Sequence, residues 1–108
     1  MSKLIILRGN SGSGKTTAAK ALQKRFGPNT MLISHDMIRM QILHVWGKTG
    51  IEKSLPLMIE LLKYGRKHSE WTILEGVLDA EEYRDLFDAC LSEYGAENIY
   101  AYYYDLPF

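Results

Sequence analysis

Gly9-Asn10-Ser11-Gly12-Ser13-Gly14-Lys15-Thr16 is a glycine-rich turn that runs straight into a lysine and a hydroxyl residue. Glycine tolerates backbone angles that other residues resist, so such a turn can wrap closely around a ligand. Its amides then point inward as a nest of donors for an anion. A helix starting at the end of the turn adds the favourable potential of its N-terminus. A lysine at the seventh place can reach phosphate oxygens, and the hydroxyl after it suits a hard cation. The stretch fits the Walker A spacing G-x-x-x-x-G-K-[ST] at every fixed position. The candidate phosphate-binding residues are therefore Gly9, Asn10, Ser11, Gly12, Ser13, Gly14, Lys15 and Thr16. Thr17 adjoins them and is suited to fixing the start of the helix. A turn that merely joins a strand to a helix is the alternative, and the flanks decide against it.

On the N-terminal side, Leu4-Ile5-Ile6-Leu7 is apolar throughout, as a strand buried on both faces must be. On the other side, Lys15 to Phe26 reads as a helix, with Ala18, Ala19, Leu22 and Phe26 on its inner side. Gly27-Pro28-Asn29 stops it. A second strand runs through Met31-Leu32-Ile33 and ends at Ser34-His35-Asp36, where Asp36 is suited to cap a short helix over Met37 to Val45. Gly47 to Gly50 reads as a loop. The next helix begins near Ser54, which keeps Pro56 in its first turn, and turns Leu57, Met58, Leu61, Leu62 and Gly65 inward. Trp71-Thr72-Ile73-Leu74 is the third strand and ends at Glu75-Gly76. Ala80 to Glu93 reads as a helix with Tyr83, Phe87, Cys90, Leu91 and Tyr94 on one side, and Asp79 can cap it. Ile99 to Tyr104 is the fourth strand. Strands alternating with helices predict a single α/β domain over residues 1–108, with a parallel sheet covered on both faces.

Composition narrows the partners. Thirteen basic residues balance 13 acidic ones, so no broad field attracts nucleic acid or an anionic membrane. The four-residue apolar run before Arg8 is too short for a signal peptide or a bilayer span. Cys90 is the only cysteine, which rules out an internal disulfide and agrees with the cytoplasm as default compartment. His35, His44 and His68 lack metal-ligand spacing. Met37, Ile38, Met40, Ile42, Leu43, Val45 and Trp46 are read as helix packing in preference to an apolar acceptor wall. Tyr100, Tyr102, Tyr103 and Tyr104 are read as core or interface, not as base-stacking platforms. Lys48-Thr49-Gly50 is a chance tripeptide.

Three features together resemble P-loop kinases of the AAA-family-like group that includes polynucleotide kinase, zeta toxin and chloramphenicol phosphotransferase. They are the turn from Gly9 to Thr16, the D-x-x-R of Asp36-Met37-Ile38-Arg39, and Leu74-Glu75-Gly76 at the end of the third strand. The resemblance implies the P-loop nucleoside triphosphate hydrolase fold with strand order 2-3-1-4. It implies ATP and Mg²⁺ as cofactors, and transfer of the γ-phosphoryl to a hydroxyl of a small molecule or a nucleic-acid end. By the same resemblance Asp36 is the base that orients the acceptor, Lys15 the electrostatic clamp, and Arg39 a grip for an acceptor anion. Thr16 and Glu75 would serve the metal. Asp36 read only as a cap, Arg39 as a solvated or Asp36-paired residue and Glu75 as a strand-end group remain the plain alternatives.

Kinases of this group continue into a lid carrying arginines, whereas this sequence ends after its fourth strand, at Phe108. The expectation is therefore the N-terminal portion of a longer domain, with a homodimer through the C-terminal strand edge as a further expectation. The competing functional reading is a nucleotide-binding module without catalysis, or a truncated kinase fragment. The residues leave the acceptor, and ATP against GTP, open.

Overall fold

The computed structural model describes residues 2–10 and 14–104, the side chain of Tyr104 excepted. The middle of the glycine-rich turn, Ser11, Gly12 and Ser13, and the last four residues lie outside the described set.

Strand β1 (Lys3–Gly9) leads through the turn into helix α1 (Lys15–Phe26). Strand β2 (Thr30–Ser34) runs directly into a short helix α2 (His35–Met37), which widens into a π-helical turn over Ile38–Ile42. Helix α3 (Gly47–His68), strand β3 (Trp71–Gly76), helix α4 (Arg84–Tyr94) and strand β4 (Ile99–Tyr104) follow. All pairings are parallel, and the order is β2-β3-β1-β4, as the resemblance implied. Ser34 and Leu7 both stand in register with Glu75, so β3 presents that carboxylate between the ends of its two neighbours.

The continuous apolar run in β1 is explained by two cores. Leu4 and Ile6 join Ile33 and Leu74 against Met58 and Leu62 of α3 and Leu86, Cys90 and Tyr94 of α4. Ile5 and Leu7 face the other way with Ile73, and Ala19 of α1 packs on them. Alternate side chains of one strand therefore serve opposite layers. Burial of this kind contributes about 25 cal/mol per Å² of apolar surface.

Several local expectations are corrected. Gly47 to Gly50 is helical, and Pro56 lies in the interior of α3. Proline removes an amide donor and leaves the carbonyl four residues earlier without its partner. Pro56 and Glu52 are both exposed, so that side of the helix is wet and water can serve the carbonyl. The opposite face carries the fold, with Gly50, Ser54, Met58, Leu62 and Gly65 buried at three- and four-residue steps. Helix α4 starts at Arg84 and not at Ala80, because Asp79 Oδ1 accepts the Glu81 and Glu82 amides at 2.9 and 3.1 Å and holds a separate turn. Leu86, not Leu91, completes its buried side, and Leu91 is 55% exposed.

The tyrosine strand is not core. β4 pairs with β1 at the end of the sheet, and Tyr100, Tyr102 and Tyr103 stand 41–60% exposed. Helix α1 packs over β1, β2 and β3, and beside it an apolar groove of about 390 Å³ opens between Leu22 and Phe26 of α1 and Tyr100 and Tyr102 of β4. Among the described residues no helix covers these rings, and Tyr100 and Tyr102 stand on an open face.

Candidate active site

In a parallel sheet the strand carboxyl ends open on one edge, and that edge is where ligands bind. Here it gathers Gly9 from β1, Ser34 from β2, and Glu75 and Gly76 from β3. Gly14 enters α1 at φ 92°, a left-handed conformation that favours glycine. Lys15 is the first helical residue and is 4% exposed. Its ammonium donates to the Asn10 carbonyl at 3.1 Å. Of the turn's calls, Gly9, Asn10, Gly14, Lys15, Thr16 and Thr17 lie among the described residues; Ser11, Gly12 and Ser13 do not. Thr17 is exposed on the first turn of α1.

Glu75 is 2% exposed, and its Oε2 accepts two hydroxyl hydrogen bonds. Thr16 Oγ1 donates at 3.1 Å and Ser34 Oγ at 2.7 Å. A buried carboxylate is costly unless donors satisfy it, and these two hydroxyls do so from two different elements. Among the described residues no group of three His, Cys, Asp or Glu side chains could hold a metal alone. The oxygens of Thr16 and Glu75 nonetheless fit Mg²⁺. That ion prefers hard oxygen donors and is commonly held by one or two protein groups together with water and substrate phosphates.

Asp36 lies just past the end of β2. It is not the cap of α2: the helix already includes His35, and Asp36 sits in its first turn. Its Oδ1 instead accepts from Arg39 Nη2 at 2.9 Å, with the Asp36 side chain 57% and the Arg39 side chain 24% exposed. An exposed pair of this kind is worth about 1 kcal/mol or less, so it can be exchanged for a ligand contact. Arg39 is partly held from behind, since the backbone of Gly50 would place an added Cβ 3.1 Å from Arg39 Cδ.

Thr16, Ser34, Asp36 and Glu75 line a single cavity of about 400 Å³, walled by Leu32, Met37 and Met40. The structure thus brings together Thr16, Asp36 and Glu75, which the sequence singles out, and adds Ser34. The expectation that the cluster after β2 is all helix packing is corrected. Ile38 is fully buried, whereas Met37, Met40, Ile42 and Trp46 are 37–55% exposed. The π-helical turn at Ile38–Ile42 breaks the regular spacing that would have put them on one inner stripe.

Two further residues escape pattern reading. His35 is 3% exposed, and its Nε2 lies 2.5 Å from Tyr83 Oη. Burial pushes the imidazole down to about 4, with the Arg39 and Lys15 cations adding to the effect and Asp36 opposing it. Burial likewise pushes the Tyr83 phenol up to about 12. Arg8, on β1, donates through Nε and Nη2 to the Leu78 carbonyl at 3.2 and 2.7 Å. Its guanidinium lies 5.1 Å from the Phe87 ring centre and 5.6 Å from that of Tyr103. This clasp ties the segment after β3 to the strand that feeds the glycine-rich turn. No local signal announces Ser34, Arg8 or Tyr83, because their partners are 41, 70 and 48 residues away.

Neither a protein-family model nor a curated protein matches the sequence. Solved structures are similar to it in fold. A chain of the Pnkp1/Rnl/Hen1 RNA repair complex superposes with a TM-score of 0.69 at 21% identity, over 98% of this chain and 34% of that one. The APS kinase CysC of Mycobacterium tuberculosis, as its Cys556Ala mutant, gives 0.69 at 16% identity, over 99% and 78%. A putative kinase from Chloroflexus aurantiacus gives 0.61 at 18% identity, over 94% and 56%. The chain spans about a third of the length of the RNA-repair chains it resembles. It shares its fold with these structures, a parallel α/β sheet in the order 2-3-1-4 with helices on both faces. At the carboxyl edge of that sheet stand Lys15 and Thr16, a buried Glu75 and an exposed Asp36.

Proposed function

We propose that this chain binds ATP with Mg²⁺ and transfers the γ-phosphoryl to a hydroxyl held at Asp36. The observation that carries the reading is the shared cavity, in which Thr16, Glu75 and Asp36 meet at the carboxyl edge of the sheet. Lys15 and the amides of the turn would hold the β- and γ-phosphates and offset charge as it develops. Thr16, with Glu75 behind it, would hold Mg²⁺, which when bound neutralises phosphate charge. Asp36 would accept the hydroxyl proton while the acceptor oxygen bonds to the γ-phosphorus and the bond to the β-phosphate oxygen breaks. Arg39 would leave Asp36 for an anionic group on the acceptor, its fork matching phosphate or carboxylate. A small molecule is the leading acceptor class and a nucleic-acid end the second.

The competing reading, nucleotide binding without transfer, has the Asp36–Arg39 pair in its favour, because the pair occupies the carboxylate within the chain. Asp36→Asn separates the two. Transfer from radiolabelled ATP to a panel of 5′-hydroxyl oligonucleotides, nucleosides and sugars is expected to fall by about 10²–10⁴-fold, the usual worth of a positioned base. ATP affinity should hardly change. Transfer at the parental rate would remove Asp36 from the base role.

No helix among the described residues is long and apolar enough to cross a membrane. We place the protein in the cytoplasm, with a second copy of itself as a partner through the open edge of β4.

A further inference from the structure

Two other buried serines spend their hydroxyls on backbone carbonyls: Ser2 on Gly65 and Ser54 on Ile51. Ser34 does not. Its Oγ donates at 2.7 Å to a carboxylate oxygen that also receives Thr16. Ser34 is 8% exposed and Glu75 2%, so this hydrogen bond is shielded from water. A charge-assisted bond in such surroundings is short, directional and hard to replace.

The consequence is geometric. A Thr16 hydroxyl that gives its proton to Glu75 must turn its lone pairs away from that carboxylate. Its lone-pair direction is therefore set by where Oε2 lies, and Oε2 is fixed from the far side by Ser34. We infer that Ser34 is a positioning residue, which acts through Glu75 to aim the Thr16 oxygen at Mg²⁺. Ser34 also ends β2 two residues before Asp36 in α2, so one hydrogen bond ties the acceptor side of the cavity to its metal side. This role rests on the phosphoryl-transfer reading. The helix-capping alternative for Ser34 fails, because it precedes α2 without any side-chain capping bond.

The test is calorimetric binding of a non-hydrolysable ATP analogue to the 108-residue chain, with Mg²⁺ and with EDTA. Outer contacts of metal ligands are typically worth tenfold or more in metal affinity. Ser34→Ala is therefore expected to reduce the magnesium-dependent gain in affinity by about tenfold. Affinity in EDTA should stay at the parental value. Because Ser34 acts through Glu75, the same substitution in a Glu75→Gln background should add little. Ser34→Thr keeps the hydroxyl and should keep the parental gain. Circular dichroism establishes that each variant is folded. A parental magnesium gain in S34A overturns the role, as does an equal loss with and without the metal, or a threonine variant as impaired as alanine. A wild-type chain that binds the analogue with no magnesium gain removes the phosphoryl-transfer reading itself, and the role with it.

Discussion

Three consecutive residues where β2 runs into α2 each reach a different partner: Ser34 bonds Glu75, His35 lies against Tyr83, and Asp36 pairs with Arg39. Buried between a shielded hydrogen bond and an exposed ion pair, His35 has a testable pH signature. In the folded chain it titrates near 4, against about 6.5 for an ordinary imidazole. Above pH 6.5 both folded and unfolded states keep it neutral, and its contribution is constant. As the pH falls from 6.5 toward 4 the unfolded chain takes the proton first, so stability declines across that window and levels off below it. Urea unfolding at pH 7 and at pH 4.5 should show a smaller difference between the two conditions in His35→Gln than in the parent. An unchanged difference would mean that the buried imidazole does not set this slope. His35 itself is plain in the sequence, but its burial is not. Gly76, which would place an added Cβ 2.6 Å from His35 Cβ, is what lets β3 close over it.

At the scale of elements, helix α3 is held to the sheet by a close approach at Gly65. A Cβ there would run into Thr72 Oγ1 and would lie 3.1 Å from Met31 Sδ and 3.2 Å from Tyr94 Oη. The Tyr94 phenol donates to the Leu62 carbonyl at 2.8 Å and lies in hydrogen-bond contact with the Thr72 hydroxyl at 3.0 Å, so these atoms have little freedom to retreat. Gly65→Ala gains helix propensity of roughly 1 kcal/mol and pays about 1–3 kcal/mol of overpacking. Net destabilisation is expected, read as a lower denaturant midpoint, and a more stable variant would contradict the close packing. The sequence places Gly65 on the inner side of the helix. It does not show that a strand and a second helix meet there, nor that Pro56 sits harmlessly on the wet side. Proline's local rule argues for a helix start, and the apolar stripe from Gly50 to Gly65 overrides it because burial on one face outweighs one lost hydrogen bond on the other.

For the whole molecule, the open feature is the β4 edge, where Tyr100 and Tyr102 border the groove beside α1. Exposed aromatic edge strands invite pairing with another chain. Light scattering is expected to show a mass that rises with concentration, and Tyr102→Lys should hold the chain monomeric by placing a charge in the apolar edge. A monomer at all concentrations in the parent would exclude self-association through β4.

The sequence alone carried the alternation of strands and helices, the extents of α1 and β4, and the choice of Lys15, Thr16, Asp36 and Glu75 as candidates. Those are local properties: apolar period, glycine placement and residue type within a short motif. Strand order was available only through resemblance. Which side chains meet was decided by the tertiary structure, since register alone sets Ser34 beside Glu75 and packing alone buries His35 and exposes the tyrosines. Contacts between residues 41 or more positions apart leave no periodic trace in the chain, because they are selected by how the layers stack and not by any neighbour in sequence.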